Sequence, residues 1–484
     1  KTIDGGYVYV DKTDLIYQLV QGNIYFLGRP RRFGKSLLVS TLEQYFRGNK
    51  ELFKGLAIDK LETEWKQYPV FHIDFSTGNY LNDGVLEDVL SGNLTEWEAQ
   101  YEVVRTSNDL GLRFQKVLRA AHEKTGLGAV VLIDEYDKPI LDVIELDYQV
   151  EHLGKMISLE EKHRNIMKSF YATFKGADAD LRFVFLTGVT KFSQISMFSG
   201  FNQPADISLS RNYEALCGIT KDELVKYFAD PIAEIAQIYH CTEEEMLQKL
   251  KMKYDGYHFS EKMVDVFNPF SLLNAFYNMK LGGYWFKSGT PTYLVRLLSH
   301  FDENLDELVG KYYGVPQFDD YEADIEKPLP MIYQSGYLTI KDYDQDTESF
   351  LLDIPNNEVR EGLLTILANA YLKTKEDSAS WLITSVHQLK HGKLQEFMDS
   401  LTAFLASIPY SVRRRNDERE YERYFDYTFY LLLRMLSCYM LFREKETSKG
   451  RAAQVPAVFF GQGRQVRISA ASARPPSSTP CPLS

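Results

Sequence analysis

A short apolar run, a glycine-lysine-serine turn and an amphipathic segment follow one another within the first 50 residues. Residues 23–28 read Asn-Ile-Tyr-Phe-Leu-Gly, which is typical of a buried strand, and residues 29–36 read Arg-Pro-Arg-Arg-Phe-Gly-Lys-Ser. Apolar residues then recur at helical spacing up to Phe46, and glycine and asparagine at 48–49 end the pattern. Strand, loop and helix in this order form the layout of a phosphate-binding loop and predict an α/β fold.

The loop carries the groups that such a site needs. Backbone N–H groups at the start of the helix point at the phosphate, Lys35 reaches the β- and γ-phosphates, and the Ser36 hydroxyl binds Mg²⁺. The consensus G-x-x-x-x-G-K-[ST] would place glycine at position 29, but this chain has Arg29 there and Gly28 one residue earlier. A basic surface turn is therefore the alternative interpretation of this segment taken alone.

A second motif lies at residues 129–135, which read Ala-Val-Val-Leu-Ile-Asp-Glu. An apolar run ending in two acids is typical of a central parallel strand that delivers carboxylates to one edge of a sheet. We predict that Asp134 holds Mg²⁺ and that Glu135 polarises the attacking water. A core strand whose acids merely begin a loop is the alternative. The spacing of about 100 residues between the motifs and the strand-like segment 70–75 favour a single doubly wound sheet.

A third apolar strand at 181–186 ends in the polar sequence Thr-Gly-Val-Thr-Lys-Phe-Ser at 187–193. Thr187 is the candidate for a side chain placed between the γ-phosphate and the attacking water, and Lys191 is a weaker candidate. The dipeptide Thr-Gly is equally an ordinary exit from a strand into a turn, so both interpretations of Thr187 stay open. For Lys191 we favour a structural role.

These residues resemble the bacterial AAA-ATPase-like family, in which a P-loop ATPase domain is commonly fused to a C-terminal PD-(D/E)XK nuclease-like domain. The similar segments lie at 9–13, 29–37, 71–76, 133–137, 187–193, 254–259, 267–271, 288–291 and 333–338, so the resemblance covers about residues 1–445. The aromatic segment 254–259 could contact nucleotide or a partner, but we favour packing in the core.

The resemblance implies ATP and Mg²⁺ as ligands and resolves the missing glycine, because the family's loop looks the same at that position. The implied nucleotide-binding residues are Gly28, Arg32, Phe33, Gly34, Lys35, Ser36 and Leu37. That Arg31 and Arg32 help to hold phosphate is a separate hypothesis. The implied metal ligands are Ser36 and Asp134, and the implied catalytic residues are Lys35, Glu135 and Thr187.

The C-terminal part departs from the family. The nuclease-like domain is expected to carry a segment resembling T-S-K/R-G-R-x-D followed by a strand with E-x-K. Residues 447–451 fit, but Ala453 stands where the aspartate is expected, and residues 447–484 contain no Asp or Glu. We therefore expect a truncated nuclease-like remnant at 346–451 without nuclease activity and a disordered basic tail at 452–484. A change of reading frame near residue 452 is our hypothesis, and a nucleic-acid-binding tail is the alternative.

Composition narrows the remaining choices. The chain has 55 Lys and Arg against 67 Asp and Glu, so its formal charge of −12 does not favour binding to nucleic acid or to an anionic membrane. Its four cysteines form no metal-binding pair, and no apolar stretch reaches the ~20 residues of a membrane span. We expect a cytoplasmic protein with no membrane partner.

The sequence thus predicts a P-loop NTPase fold of the RecA/AAA-like type, a parallel sheet with helices on both faces, over residues 1–215. A mainly helical lid or linker domain is expected at 216–345. We predict a Mg²⁺-dependent ATPase whose hydrolysis changes the conformation of an attached or partner module. The alternative is a nucleotide-dependent scaffold with little turnover that recruits nucleic acid or a protein.

Overall fold

A computed structural model describes residues 8–144, 146–152, 154–191, 204–285, 308–319, 328–363 and 378–407, with four three-residue strands between 445 and 466. Contacts within the chain divide it into two compact units, Lys1–Gly362 and Leu363–Ser484. Among the described residues, no helix combines the length and the apolar character needed to cross a bilayer.

The first unit alternates strands and helices through its first half. Its helices are α1 Thr13–Leu19, α2 Lys35–Phe46, α3 Val85–Gln100, α4 Leu110–Thr125, α5 Lys138–Leu141, α6 Leu159–Gly176, α7 Lys221–Tyr227, α8 Ala229–Ile238, α9 Glu243–Tyr254, α10 Pro269–Tyr277, α11 Val315–Phe318 and α12 Leu329–Gln334. Its strands are β1 Ile24–Gly28, β2 Val70–Asp74, β3 Ala129–Asp134, β4 Gln149–His152, β5 Lys155–Ser158, β6 Leu181–Gly188, β7 Ala205–Asp206, β8 Ile219–Thr220, β9 Val266–Phe267, β10 Lys311–Gly314, β11 Thr339–Asp344 and β12 Ser349–Asp353.

Five of these strands form one parallel sheet in the order β2-β3-β6-β1-β7. Every residue of β3 is buried, so both faces of the sheet centre are covered, as its uninterrupted apolar sequence predicts. Helix α2 packs on β2, β3 and β6, and α4 packs on β3. The α/β fold and the four strands predicted from the sequence are confirmed.

The register of the sheet brings the ends of four strands together. Thr187 on β6 lies beside Leu27 on β1, and Asp134 on β3 lies beside Asp74 on β2. Because all the strands run in the same direction, their carboxyl ends share one edge, which is where open α/β sheets bind ligands.

The part after β7 contains the predicted helices and an additional sheet. Thr220 caps α7 and forms a capping box with Glu223. Apolar residues of α7 to α10 then build a core of their own. Strands β10, β12 and β11 form an antiparallel sheet that the sequence analysis did not predict.

The hairpin β11–β12 of this antiparallel sheet spans the predicted domain boundary at residue 345. The domain boundaries themselves stay predictions.

The second unit is described over helices α13 Ser378–Lys390 and α14 Leu394–Ser407 and over two antiparallel strand pairs, β13 Lys445–Thr447 with β14 Gly450–Ala452 and β15 Val458–Phe460 with β16 Arg464–Val466. Trp381 stacks on Phe404 between the two helices, with ring centroids 3.9 Å apart. Ala453 and most of the predicted nuclease-like remnant and tail lie outside the described residues, so those predictions are not tested.

Candidate functional site

The loop between β1 and α2 is built to receive an anion. Gly34 has a φ of 94°, and a Cβ there would meet no atom within 4 Å, so backbone conformation rather than crowding favours glycine. No side chain caps α2, and the N–H groups of Gly34, Lys35 and Ser36 make no hydrogen bond with the described part of the chain. Free N–H groups at the start of a helix attract negative charge.

Lys35 is buried with 6% of its surface exposed. Its Nζ donates hydrogen bonds to the carbonyl oxygens of Arg29 and Pro30, at 2.9 and 3.1 Å. Burial lowers the pKa of Lys35, and the charges of Asp137, Glu135 and Asp134 oppose this effect. Two neutral carbonyl oxygens therefore hold the Lys35 ammonium group within the loop, and three carboxylates also attract it.

Arg29 explains how the loop manages without the consensus glycine. Its φ is not positive, so the backbone at this position accepts a side chain. The buried guanidinium donates to the carbonyl oxygens of Gly28, Ser208 and Tyr213 and lies 4.0 Å from the centre of the Phe259 ring. A basic surface turn does not describe this residue, because its side chain lies beneath the loop.

Two of the predicted nucleotide-binding residues, Gly28 and Phe33, also make contacts within the protein. The N–H of Gly28 donates to the Ser208 hydroxyl at 2.8 Å. The buried Phe33 ring packs edge-on against Tyr257 and Phe259, with centroids 4.8 and 5.6 Å apart. Both partner rings are buried, so packing of the aromatic segment 254–259 in the core is confirmed.

Three other predicted residues lie on the open side of the loop. Ser36 and Leu37 are exposed at the start of α2, and Arg32 is exposed with a φ of 69°. The Arg32 guanidinium lies 5.1 Å from the centre of the Phe270 ring.

The carboxylates predicted to act on metal and water meet at the end of β3. The buried Thr187 hydroxyl donates to Asp134 Oδ1 at 2.7 Å, and the Glu135 N–H donates to the same oxygen at 3.1 Å. Thr187 thus contacts the predicted metal ligand, which makes it a positioning group in this structure. Its predicted contact with water and γ-phosphate stays a prediction.

Glu135 has an unusual backbone and an unusual charge environment. It is half-buried with a φ of 52°, a left-handed conformation that is uncommon outside glycine. Burial raises the pKa of Glu135, while the charges of Lys35 and Arg31 lower it. A carboxylate with a raised pKa beside a cation is a candidate proton acceptor.

Lys191 and Asp137 stabilise the structure at the carboxyl edge of the parallel sheet. Buried Lys191 pairs with Asp206 at 2.7 Å and with Asp319, which supports the structural role favoured for it. Asp137 Oδ2 accepts from the N–H groups of Val189 and Thr190 and from the Thr190 hydroxyl, at 2.7–2.9 Å. The sequence analysis missed Asp137, although a second acid three residues after Asp134 was a usable signal.

A cavity of about 120 Å³ lies beside Gly34. Four stretches of chain far apart in sequence form its walls. They are Val8–Val10 with Lys12 and Ile16, five residues between Phe33 and Thr41, residues 216–219 with Phe228, and Pro269 with Leu273. Lys12 and Glu223 pair at 2.7 Å and link two of these stretches. Of this wall, only Phe33, Gly34 and Leu37 were predicted to bind nucleotide, because the other parts join them only in the folded chain.

The donor set fits a magnesium ion that is bound together with a phosphate. No group of three or more His, Cys, Asp or Glu that could hold a metal occurs among the described residues. Mg²⁺ needs fewer protein ligands, because it retains waters and shares phosphate oxygens. Asp134 Oδ2 accepts no hydrogen bond from the described residues, and the Ser36 hydroxyl is exposed, so both oxygens can serve.

The parallel sheet, its strand order and the loop that follows β1 define a P-loop NTPase fold of the AAA-like type. Residues 1–198 match the family described as predicted AAA-ATPase. The chain is also 34% identical, over 430 residues, to the "Uncharacterized protein in vnfD 5'region" of Azotobacter chroococcum mcd 1, covering 88% of this chain and 78% of that protein.

The chain belongs to the AAA-ATPase-like family. Membership indicates nucleotide binding. Neither match names a nuclease-like domain, so that part of the resemblance stays a prediction.

Proposed function

We propose that this protein binds ATP with Mg²⁺ and hydrolyses it, and that hydrolysis drives a conformational change that regulates an attached or partner module. One observation carries the proposal. The carboxylates of Asp134 and Glu135 stand at the end of β3, and the buried ammonium group of Lys35 interacts with both. A protein that only binds nucleotide has no need of a second carboxylate beside the metal ligand.

Each group has a defined task in this proposal. The N–H groups of residues 34–36 and the Lys35 ammonium bind the β- and γ-phosphates, and Lys35 exchanges its carbonyl partners for phosphate oxygens. Ser36 and Asp134 hold Mg²⁺, which supplies charge neutralisation at the phosphates when bound. Glu135 orients the attacking water and accepts its proton. Thr187 fixes the orientation of the Asp134 carboxylate.

The cavity beside Gly34 is the proposed site of the nucleobase. Its walls are mainly aliphatic or aromatic and include Leu37, Leu216, Ile219 and Phe228. A flat, weakly polar ring gains binding energy from such walls, and the phosphates then extend over the N-terminus of α2.

The first experiment measures phosphate release from ATP with Mg²⁺, with and without DNA, for the parent protein, Lys35→Ala and Glu135→Gln. We expect both variants to lose turnover by at least about 100-fold, since each removes a group acting on the transferring phosphoryl. Only Lys35→Ala is expected to lose nucleotide binding. Lys175→Ala and Glu123→Gln alter exposed residues of α6 and α4 and serve as matched controls.

The outcomes separate the two functions. Turnover that is unchanged in both variants, or absent from a parent that binds ATP tightly, contradicts hydrolysis and supports the nucleotide-dependent scaffold. A rate that rises when DNA is added identifies nucleic acid as the partner.

A further inference from the structure

We propose that Arg31 is a catalytic residue of this ATPase, a guanidinium that the chain supplies from its own phosphate-binding loop to the γ-phosphate. The proposal rests on the proposed function and adds to it the group that neutralises the transition state. It also assigns that group to the same molecule that holds the nucleotide.

Residues from distant parts of the chain hold the backbone of Arg31 in place. Its carbonyl oxygen accepts a hydrogen bond from Trp285 Nε1 at 2.9 Å. Trp285 is fully buried, and its own N–H donates to the Glu358 carboxylate at 2.9 Å. The preceding Pro30 lies against Gly336, where a Cβ would come within 2.7 Å of the proline Cβ. The loop at 30–31 is therefore held by segments that lie far away in the sequence.

Within the part of the chain that the structure describes, the guanidinium of Arg31 is available to a ligand, unlike those of the other two arginines of the loop. Arg29 is engaged with three carbonyl oxygens and the Phe259 ring, and Arg32 lies over the Phe270 ring. Half-buried Arg31 has no side-chain hydrogen bond or ion pair with the residues that the structure describes. A partly buried guanidinium favours a planar anion, and phosphate oxygens match its two-pronged geometry.

The free guanidinium lies on the catalytic side of the loop. The charges of Lys35 and Arg31 both act on the Glu135 carboxylate. Electrostatic interaction weakens with distance, so Arg31 lies in the neighbourhood of Glu135. We therefore assign Lys35, Arg31 and Glu135 to the γ-phosphate and the attacking water at the end of β3.

The chemistry of hydrolysis gives this cation a task. The water oxygen forms a bond to the γ-phosphorus, and the bond from that phosphorus to the β–γ bridging oxygen breaks. The bridging oxygen leaves with the electron pair as part of ADP, and the proton of the water passes to Glu135. Negative charge shifts towards the leaving oxygen and the γ-oxygens, where a guanidinium stabilises it.

The test compares Arg31→Ala, Arg31→Gln and Arg31→Lys with the parent and with Arg119→Ala, which removes an exposed arginine of α4. We expect turnover to fall by about 10³-fold in the alanine and glutamine variants, as for the loss of an arginine finger. Lysine restores only part of the rate, because it cannot bind two phosphate oxygens in one plane. Affinity for ADP with Mg²⁺ is expected to change less than about tenfold.

Two further readouts distinguish catalysis from a structural role. ADP with aluminium fluoride resembles the transferring phosphoryl group, so the parent should bind this pair more tightly than ADP alone. Arg31→Ala is expected to lose that gain while keeping its thermal midpoint and its affinity for ADP. Because Arg31 acts within one molecule, mixing Arg31→Ala with Glu135→Gln should restore no turnover.

Failure of this inference is distinguishable from failure of the proposed function. A parent that hydrolyses ATP while Arg31→Ala keeps its rate overturns the role of Arg31 alone. Restored turnover in the mixture also overturns it, because the arginine would then act across molecules. A parent without turnover overturns the proposed function and this inference together.

Discussion

At the scale of single residues, Asp255 is a buried carboxyl group outside the candidate site. The residue is 1% exposed, and neither carboxylate oxygen lies in hydrogen-bonding geometry with a donor among the described residues. Burial raises the pKa of Asp255 to about 7, and neighbouring Asp265 adds to this effect. The charges of Lys251 and Lys341 offset only part of the upward pKa shift.

The raised pKa predicts a pH dependence of stability. The folded chain holds the Asp255 proton more tightly than the unfolded chain, so its contribution to stability is present below the ordinary value of 3.8 and is lost as pH rises to about 7. Asp255→Asn should flatten this decline and raise the free energy of unfolding at pH 8, by on the order of 2–4 kcal/mol. Denaturant titrations between pH 4 and 8 measure it, with exposed Asp346→Asn as control. An unchanged pH profile in Asp255→Asn would contradict the assignment.

At the scale of elements, the phosphate-binding loop depends on a support that is remote in sequence. Glu214 is buried beneath it and accepts hydrogen bonds from the N–H groups of Phe259, Ser260 and Val264 and from the Ser260 hydroxyl. This fixes the Phe259 ring, which in turn packs on Arg29 and Phe33. The loop thus packs on the Phe259 ring, and the segment that carries this ring is held by Glu214, so the loop is not an isolated turn.

Two glycine substitutions separate loop geometry from helix propensity. Gly34→Ala forces a side chain into a positive φ, which costs about 1–2 kcal/mol and turns away the N–H groups that face the phosphate. Gly92 lies inside α3 without positive φ, and a Cβ there would meet open space, so Gly92→Ala should stabilise by up to about 1 kcal/mol. Thermal unfolding and ADP titration measure both. Unimpaired ADP binding in Gly34→Ala would refute the role given to the loop.

Within the first unit, the cavity beside Gly34, which we propose for the nucleobase, is bounded by segments that meet only when the whole unit is folded. The ion pair between Lys12 and Glu223 connects the start of the described chain to α7. The hydroxyls of Tyr9 and Thr41, 3.4 Å apart, connect it to α2. A ligand that bridges these segments binds the folded state and not the unfolded one. Nucleotide should therefore stabilise the unit as a whole.

Ligand-linked stability provides a test at the scale of the molecule. ADP with Mg²⁺ at 100 times its dissociation constant should add about 2.7 kcal/mol to the free energy of unfolding, and the unfolding temperature should rise with ligand concentration. Lys35→Ala should abolish the shift, whereas Lys175→Ala should retain it. The opposite pattern, with a full shift in Lys35→Ala, would place the ligand elsewhere on the molecule.

The sequence by itself determined the elements that carry the candidate site. Apolar runs predicted β1, β2, β3 and β6, and helical spacing with a glycine at its start predicted α2. These signals are local, because a buried strand needs consecutive apolar residues and a phosphate loop needs glycine, lysine and a hydroxyl at fixed spacing. Asp134 and Glu135 were predicted from the same kind of local signal, because they directly follow an apolar run.

Only the tertiary structure decided how the loop is supported and what surrounds it. Arg29 is buried against residues about 180 positions later, and Trp285 reaches the Arg31 carbonyl across 254 positions. The antiparallel sheet β10-β12-β11 escaped prediction because strands such as β11, Thr-Ile-Lys-Asp-Tyr-Asp, carry acidic and half-exposed residues instead of an apolar run. Burial and hydrogen bonding between distant segments depend on the folded chain, and no local spacing records them.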